Sequence, residues 1–269
     1  VKPGEVGWTP LVGQGARWAG GGRIADVEIG PGQPCRIVCE VSNNHNGSLA
    51  LAKRLVRECA EAGADLVKFQ CYRPDELVAL RGDGPAPDPW GSEGWSMRDL
   101  YTKAQTPHEW FPDLVAECNA AGVPWFSSVF GMRSMDLLKA LGCPAYKIAA
   151  LDVTRAMPSM LVGCDAPVIA SSLNERIGWA DLTLFCPPGY PQNPTTAAYG
   201  GRYSTGHHDG LSYHGTTIRP CLVAMEDGVR LVEVHVQLDD EPSDLEAHVS
   251  LTVSDLAKLC AAAKTARVA

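Results

Sequence analysis

At 269 residues, with 45% hydrophobic and 20% charged side chains, the chain can bury a sizeable core and has the composition of a soluble globular protein. Its formal net charge of −8, with no Lys/Arg cluster interrupting the acidic balance, argues against nucleic acid as a partner. No run is long enough to cross a membrane, no apolar leader opens the chain, and the ten cysteines stand singly without a C-x-x-C pair. The expectation is a cytoplasmic protein with reduced core thiols and no membrane partner.

Residues 1–22 show no period and are expected to be extended or disordered, leaving 23–269 as a single domain. GRIADVEIGPGQPCRI reads as a hairpin that closes one end of the fold, with its turn at Gly30-Pro31-Gly32. Eight short apolar runs then follow: 36–41, 65–70, 124–130, 145–150, 167–172, 182–187, 209–214 and 231–238. Amphipathic stretches of helical period occupy 48–62, 108–122, 133–142, 155–163, 216–227 and 253–265. Ser48, Thr106 and Ser254 stand where helix caps are wanted, and Gly63, Gly122, Gly142 and Gly228 where helices end. Eight strands alternating with helices predict an α/β fold, a (β/α)8 TIM barrel, with an open doubly wound sheet as the alternative. Two irregularities stand out. The connection 173–181 is too short for a packed helix, so the βα unit between strands 5 and 6 is abbreviated. The segment 72–106, rich in Gly, Pro and Trp, is longer than connections usually are and suggests a cover or a subunit contact.

The first strand runs into EVSNNHNGS (40–48), which places a carboxylate, three amides and an imidazole at a strand–helix junction. Asn46-Gly47 as a turn and Ser48 as a cap explain only three of the nine. In a barrel, reactive side chains gather at the C-terminal ends of the strands. Glu40, Lys68, Gln70, Ser127, Ser128, Lys147, Ser171, Ser172, His214, Glu233 and His235 all interrupt apolar strands there, and Tyr190 follows the sixth. Unpaired charges in such places are costly, so these groups should converge. His214 and His235, on neighbouring strands, are either two core imidazoles or a pair for a divalent ion; His207 and His208 are placed nearer the surface. Lys68 and Lys147 suit an anionic ligand, although a snorkelling lysine or a Schiff-base lysine would have the same spacing.

EVSNNHNGSLALAKRLVRECAEAGADLVKFQCY closely resembles the signature of the sialic acid synthase family, typically AEIGxNHNG, a helix and GADAVKFQ. The likeness continues through TPHEWFPDLVAECNAAGVPWFSSVF, LLKALGCPAYKIAALDVT, PVIASS, CPPGYP, GLSYH and VEVHVQLD, from about residue 23 to residue 265. It implies a carbon–carbon bond-forming enzyme that condenses phosphoenolpyruvate with an open-chain sugar such as N-acetylmannosamine, giving a 2-keto-3-deoxy, nonulosonic-type acid and phosphate. It further implies a divalent metal on His214 and His235, usually manganese, with magnesium and cobalt as the other candidates. Lys68, Lys147 and Ser171 would hold phosphoenolpyruvate, and Glu40 would stabilise charge or transfer a proton. Tyr190 and Glu246 match substrate positions, and Asn44, His45, Gln70 and Tyr213 are further candidates for the lining.

Several positions depart from the family pattern. The family's LHC is LFC (Phe185), an asparagine is Pro188, a serine is Ala150, a glutamate is Asp152, and SDH is SYH (Tyr213). The small C-terminal antifreeze-like domain, which in many members brings an arginine to the neighbouring subunit's sugar site, is expected to be missing because the chain stops at Ala269. Barrel-to-barrel pairing through 72–106 is then the homodimer mode expected. The metal and phosphoenolpyruvate positions are kept and the sugar-side positions changed, which points to an altered acceptor: a small aldehyde or sugar. A lyase or aldolase reaction on a related ligand, or a non-catalytic barrel that binds a sugar acid, are the alternatives.

Overall fold

The computed structural model describes residues 18, 21–153, 160–161, 164–194 and 206–265. The helix expected over 155–163 lies almost entirely outside these residues, as do most of the segment before 22 and residues 195–205. The hairpin is present as β1 (Gly22–Ile24) and β2 (Val27–Ile29), but its turn is at Ala25-Asp26, not at Gly30-Pro31-Gly32. Ala25 itself takes the left-handed backbone, φ 51°, that the glycines were expected to supply. The side chain of Arg36, at the start of the next strand, donates from Nε to Glu28 O at 2.8 Å and so fastens the hairpin to the N-terminal end of the barrel.

Eight parallel strands close on themselves: β3 (Arg36–Glu40), β4 (Leu66–Cys71), β5 (Trp125–Val129), β6 (Tyr146–Ile148), β7 (Val168–Ser172), β8 (Leu182–Phe185), β9 (Gly210–Tyr213) and β10 (Leu231–Gln237), which pairs with both β9 and β3. This is the expected TIM barrel. An unexpected short strand, β11 (Ser250–Thr252), pairs in parallel with the upper part of β10, His235 opposite Ser250. Since His235 pairs with Glu40 on its other side, β11 occupies the flank of β10 that β9 vacates after Tyr213.

The strands are apolar because both faces are covered. Phe69, Phe111, Phe126, Ile37, Leu55 and Leu66 are among the largest side chains with no appreciable exposure. Helix α1 (Leu49–Glu61) buries Ala52, Leu55, Val56 and Cys59, a spacing that puts one face on the barrel. Ser48 caps it, its Oγ accepting from Leu51 N at 3.3 Å. Helix α2 (Pro74–Arg81) and helix α3 (Met97–Ala104) both lie within 72–106, so that segment is a pair of short packed helices instead of a plain loop. Helices α4 (Phe111–Ala121), α5 (Met132–Ala140), α6 (Arg219–Glu226) and α7 (Val253–Ala263) complete the described outer layer, with a 3-10 turn at His108–Trp110 before α4.

Two expected caps are corrected. Thr106 is buried, its Oγ1 3.3 Å from His45 Nε2, and caps nothing; α7 is capped by Thr252, whose Oγ1 accepts from Asp255 N, while Ser254 lies inside the helix. The connection 173–181 contains bends and a turn but no helix, as its length requires. All ten cysteines are free thiols, nine of them buried.

Candidate active site

Register decides which side chains meet in the lumen, because neighbours paired across parallel strands point to the same side. Glu40 pairs with Lys68, Gln70 with Ser128, Ser128 with Lys147, Ser212 with Glu233, and His235 with Glu40. The alternation therefore gathers the polar interruptions of β3, β4, β5, β6, β9 and β10 above an apolar layer containing Val38, Phe126, Ile169 and Leu231. Apart from Glu40, which is wholly buried and does not border it, they form the floor of a cleft of about 710 Å³ at the C-terminal end of the barrel.

The floor is a chain of buried ionic hydrogen bonds. Lys68 donates to Glu40 and, at 3.0 Å, to Ser128 Oγ, and stands 3.6 Å from Glu233. Lys147 donates to both oxygens of Glu233 at 3.0 and 3.1 Å, and Ser212 Oγ donates to the same carboxylate at 3.0 Å. Glu40 Oε1 accepts from the backbone of Ser42 at 2.8 Å. Burial opposes the charge on Lys68, Lys147 and Glu233. At Lys68 the carboxylates of Glu233 and Glu40 overcome it and raise the pKa, whereas at Lys147 burial prevails, helped by the charge of Lys68, and lowers it. Burial would raise the carboxyl of Glu233, but the two lysines hold it far below the usual range. Ser171 Oγ, at the end of β7, is buried without any hydrogen-bond partner.

Beside this chain lie His214 and His235, ring centroids 4.8 Å apart, with Tyr190 half-exposed over them at 5.2 and 6.3 Å. His235 Nδ1 is 3.0 Å from Glu246 Oε2, and Tyr190 donates to the other oxygen of that carboxylate. Burial lowers the His214 pKa to about 3, with the neighbouring His235 adding to the effect; at His235 burial is outweighed by Glu246 and the pKa rises. Burial opposes the Glu246 charge, but His235 and the hydrogen bonds it accepts bring its pKa to about 2. A buried carboxamide, Gln192, takes the backbone N–H of His214 on Oε1 at 3.1 Å and lies 3.0 Å from its Nδ1. Among the described residues Nε2 of neither imidazole has a partner, so the two rings offer paired nitrogens of the type a divalent ion uses. Among the described residues no third His, Cys, Asp or Glu completes a metal cage, so such a site would be open.

Three candidates for the lining are placed elsewhere. Tyr213 alternates with Ser212 and His214 and lies on the outer face of the barrel; a Cβ on Gly215 would stand 2.3 Å from its hydroxyl, so the glycine makes room for it. Asn44 is buried and ties the turn after β3 to the other edge of the barrel, donating to Val236 O at 2.7 Å and Ser250 Oγ at 3.0 Å. His45 is a core imidazole packed edge-on to Trp110, its Nδ1 accepting from Gly47 N at 3.0 Å. It is their neighbour Asn43 that borders the cleft. Gln70 does line the cleft and donates to Ser42 Oγ at 2.9 Å. His208, expected near the surface, is buried against Phe185 at 5.2 Å, both outside the lumen. The change to Phe185 is therefore not a change in the cleft, whereas Pro188 and Ala150 both line it.

Gln192 and Arg81 were not among the expected site residues, and Glu233, expected to converge with the other polar groups, had no role assigned to it. Glu233 shares the alternation of His235 two residues on, which is a readable signal. Arg81 closes α2, lines the cleft, lies 5.3 Å over the Phe130 ring, and donates to both oxygens of the buried Asp152 at 3.2 and 2.7 Å.

Comparison with known proteins bears on this arrangement. The NeuB family model matches residues 55–172. The chain is 31% identical over 229 residues to the pseudaminic acid synthase of Helicobacter pylori, spanning 77% of this chain and 67% of that one. It is 27% identical over 257 residues to the pseudaminic acid synthase of Campylobacter jejuni, spanning 87% and 74%. Its fold matches the N-acetylneuraminic acid (sialic acid) synthetase of Leptospira borgpetersenii with a TM-score of 0.75 at 22% identity, covering 91% of this chain and 87% of that one. By sequence, the chain belongs to the NeuB family of sialic acid synthases.

Proposed function

We propose that the chain is a metal-dependent synthase that joins phosphoenolpyruvate to an aldehyde. The observation that carries this reading is the buried Glu40–Lys68–Glu233–Lys147 chain beside the unpartnered Ser171 hydroxyl. Such a cluster is expensive to maintain without a ligand for it to meet. Its charge also bears on the cofactor. The two lysines face Glu40 and Glu233, and Glu246 is paired with His235, so the floor has no spare positive charge for a phosphorylated carboxylate. A cation entering with the substrate would supply it, and His214 and His235 are the groups that would hold that cation. Because burial keeps His214 neutral and Glu246 anchors His235 by Nδ1, the second-layer hydrogen bonding suits ligation through Nε2.

When bound, the ion would polarise the aldehyde oxygen and offset the negative charge of the substrate. The protein's own groups would do the rest. Lys147 and Lys68 would exchange part of their carboxylate contacts for the phosphate and carboxylate of phosphoenolpyruvate, and Ser171, Ser128 and Ser212 would fix its orientation. Carbon 3 of phosphoenolpyruvate forms the new bond to the aldehyde carbon, whose oxygen takes a proton and becomes a hydroxyl. Water adds at carbon 2, the bond from carbon 2 to the phosphate oxygen breaks, and a 2-keto acid and inorganic phosphate leave. Glu40, paired with Lys68 at the strand end, would stabilise developing charge or serve in proton transfer.

Purified protein with manganese, phosphoenolpyruvate and a panel of aldehydes should release phosphate, and His214→Ala and His235→Ala should each abolish release and weaken metal binding. Absence of release with every acceptor would count against the synthase. The lowered pKa of Lys147, caused by burial, favours one second reading, an imine-forming lysine. Borohydride trapping of a substrate on Lys147 would establish that chemistry in place of the synthase.

A further inference from the structure

The two imidazoles of the cleft differ in what meets Nδ1. At His235 it is the carboxylate of Glu246, which accepts, so that ring carries a hydrogen on Nδ1 and turns its other nitrogen to the cleft. At His214 it is the side-chain nitrogen of Gln192, at 3.0 Å. A carboxamide has one accepting and one donating end, and the end that faces the ring decides what the ring can do.

The main chain settles which end it is. Gln192 Oε1 accepts from the backbone N–H of His214 at 3.1 Å, while Nε2 lies 2.9 Å from the carbonyl oxygen of Pro187 and 3.3 Å from that of Ser212. Turning the amide over would set its oxygen against two carbonyl oxygens and its nitrogen against an N–H, leaving buried groups unmet. Gln192 is 2% exposed, so water would not compensate. Its backbone N–H also donates to His214 O at 2.8 Å, which holds the two residues together from the main chain as well. The donating end therefore faces Nδ1. With one hydrogen of Nε2 on Pro187 O, the other is left for Ser212 O and Nδ1, and a hydrogen on Nδ1 would run into it. Cys186 Sγ, 4.0 Å from Nδ1, is too distant and too weak an acceptor to hold a hydrogen there.

We propose that Gln192 is a positioning residue that keeps the hydrogen of His214 on Nε2, so that this ring enters the cleft as a donor and the His214 and His235 pair is a weak cation site in the free protein. This rests on the metal-dependent reading above and adds what regulates that site. To ligate, His214 has to move its hydrogen from Nε2 to Nδ1, with no change in charge, and give up its contact with Gln192. A pair weakened in this way holds a cation poorly until an anionic substrate adds ligands of its own. That agrees with a floor whose lysines are already matched by carboxylates.

The hydrogen is located directly by ring-nitrogen magnetic resonance of metal-free protein carrying labelled histidine, with the His214 signals identified by their loss in His214→Asn. A hydrogen on Nε2 is expected, and one on Nδ1 overturns the proposal. Manganese affinity, measured by calorimetry without substrate, reads the consequence. Gln192→Glu puts an oxygen where Nε2 stands, and in either protonation state that oxygen can accept from Nδ1, as Glu246 does at His235. Its Kd for manganese should fall at least about tenfold. Gln192→Met, uncharged and without the donor, should also bind more tightly, by several-fold. Tightening in Gln192→Glu alone would assign the effect to the added charge and overturn the proposal, as would tightening in neither. A residue that merely braces His214 would lose affinity on both substitutions. If neither the parent protein nor a variant bound manganese, the metal-dependent reading would fall, and the position of the His214 hydrogen would still decide what Gln192 does.

Discussion

The floor and the wall of the cleft handle burial in opposite ways. On the floor, barrel strands hold two lysines and two glutamates in one connected chain, each group depending on the next for compensation. On the wall, two short helices present mostly apolar side chains, and Arg81 is held by the buried Asp152. The difference teaches where each kind of specificity can reside. A charge network on strands is rigid and costly to alter, because removing one member strands the others. Apolar side chains on inserted helices can be exchanged singly, so reaction chemistry and acceptor choice can vary independently.

The largest test of this contrast is Glu233→Gln. It takes the shared carboxylate from two buried ammonium groups, and urea unfolding should show a loss of about 3–5 kcal/mol. A loss below about 1 kcal/mol would mean that the floor is as tolerant as the wall. Next comes His45, which lies behind the floor and whose pKa is lowered to about 4, chiefly by burial. Its folded pKa is below the unfolded value, so between about pH 6.5 and 4 the unfolded chain binds the extra proton and stability falls as pH falls. Over that window His45→Asn should lose roughly 3 kcal/mol less than the parent protein in denaturation measured at each pH.

On the wall, Arg81→Met strips Asp152 of its guanidinium. Because Arg81 retains 20% exposure of its side chain, the cost should be about 2 kcal/mol, less than at Glu233. The smallest effect belongs to the scaffold outside the cleft. Ser48→Ala removes the cap of α1 and should cost about 1 kcal/mol, with metal and phosphoenolpyruvate affinities unchanged.

Much of the floor was legible beforehand because charged side chains that interrupt apolar strands must converge: Glu40, Lys68, Lys147 and His235 were found that way, and the strand period of 2 agrees in putting them on one face. The same rule excludes Tyr213, which adjoins His214 in the chain and so points the other way along β9. It also points to Glu233, two residues before His235. The wall was far less legible. Residues 72–106 contain so many turn formers that α2 and α3 were hidden, and an arginine ending a short amphipathic stretch resembles any surface arginine. The turn of the hairpin was misplaced for a related reason. Gly30-Pro31-Gly32 is the stronger local signal, yet packing of Ile24 and Ile29 into the core places the turn at Ala25. Asn44 and His45 look like ligand groups by type, and only the folded chain shows that Asn44 is spent on tying the turn after β3 to β10 and β11 and His45 on packing against Thr106 and Trp110.

The cysteines have a practical consequence for this division. Eight of the ten have thiols pushed up chiefly by burial, as with Cys71 and Cys118 at about 12, which silences the seven fully buried ones among them toward alkylation in the folded protein. Cys186 differs in position: it is half-buried, lines the cleft, and its sulfur lies 4.0 Å from His214 Nδ1. A small thiol reagent would thus report on the cleft at one residue while the buried thiols time the opening of the core, giving occupancy and unfolding as two separate clocks in one unmodified chain.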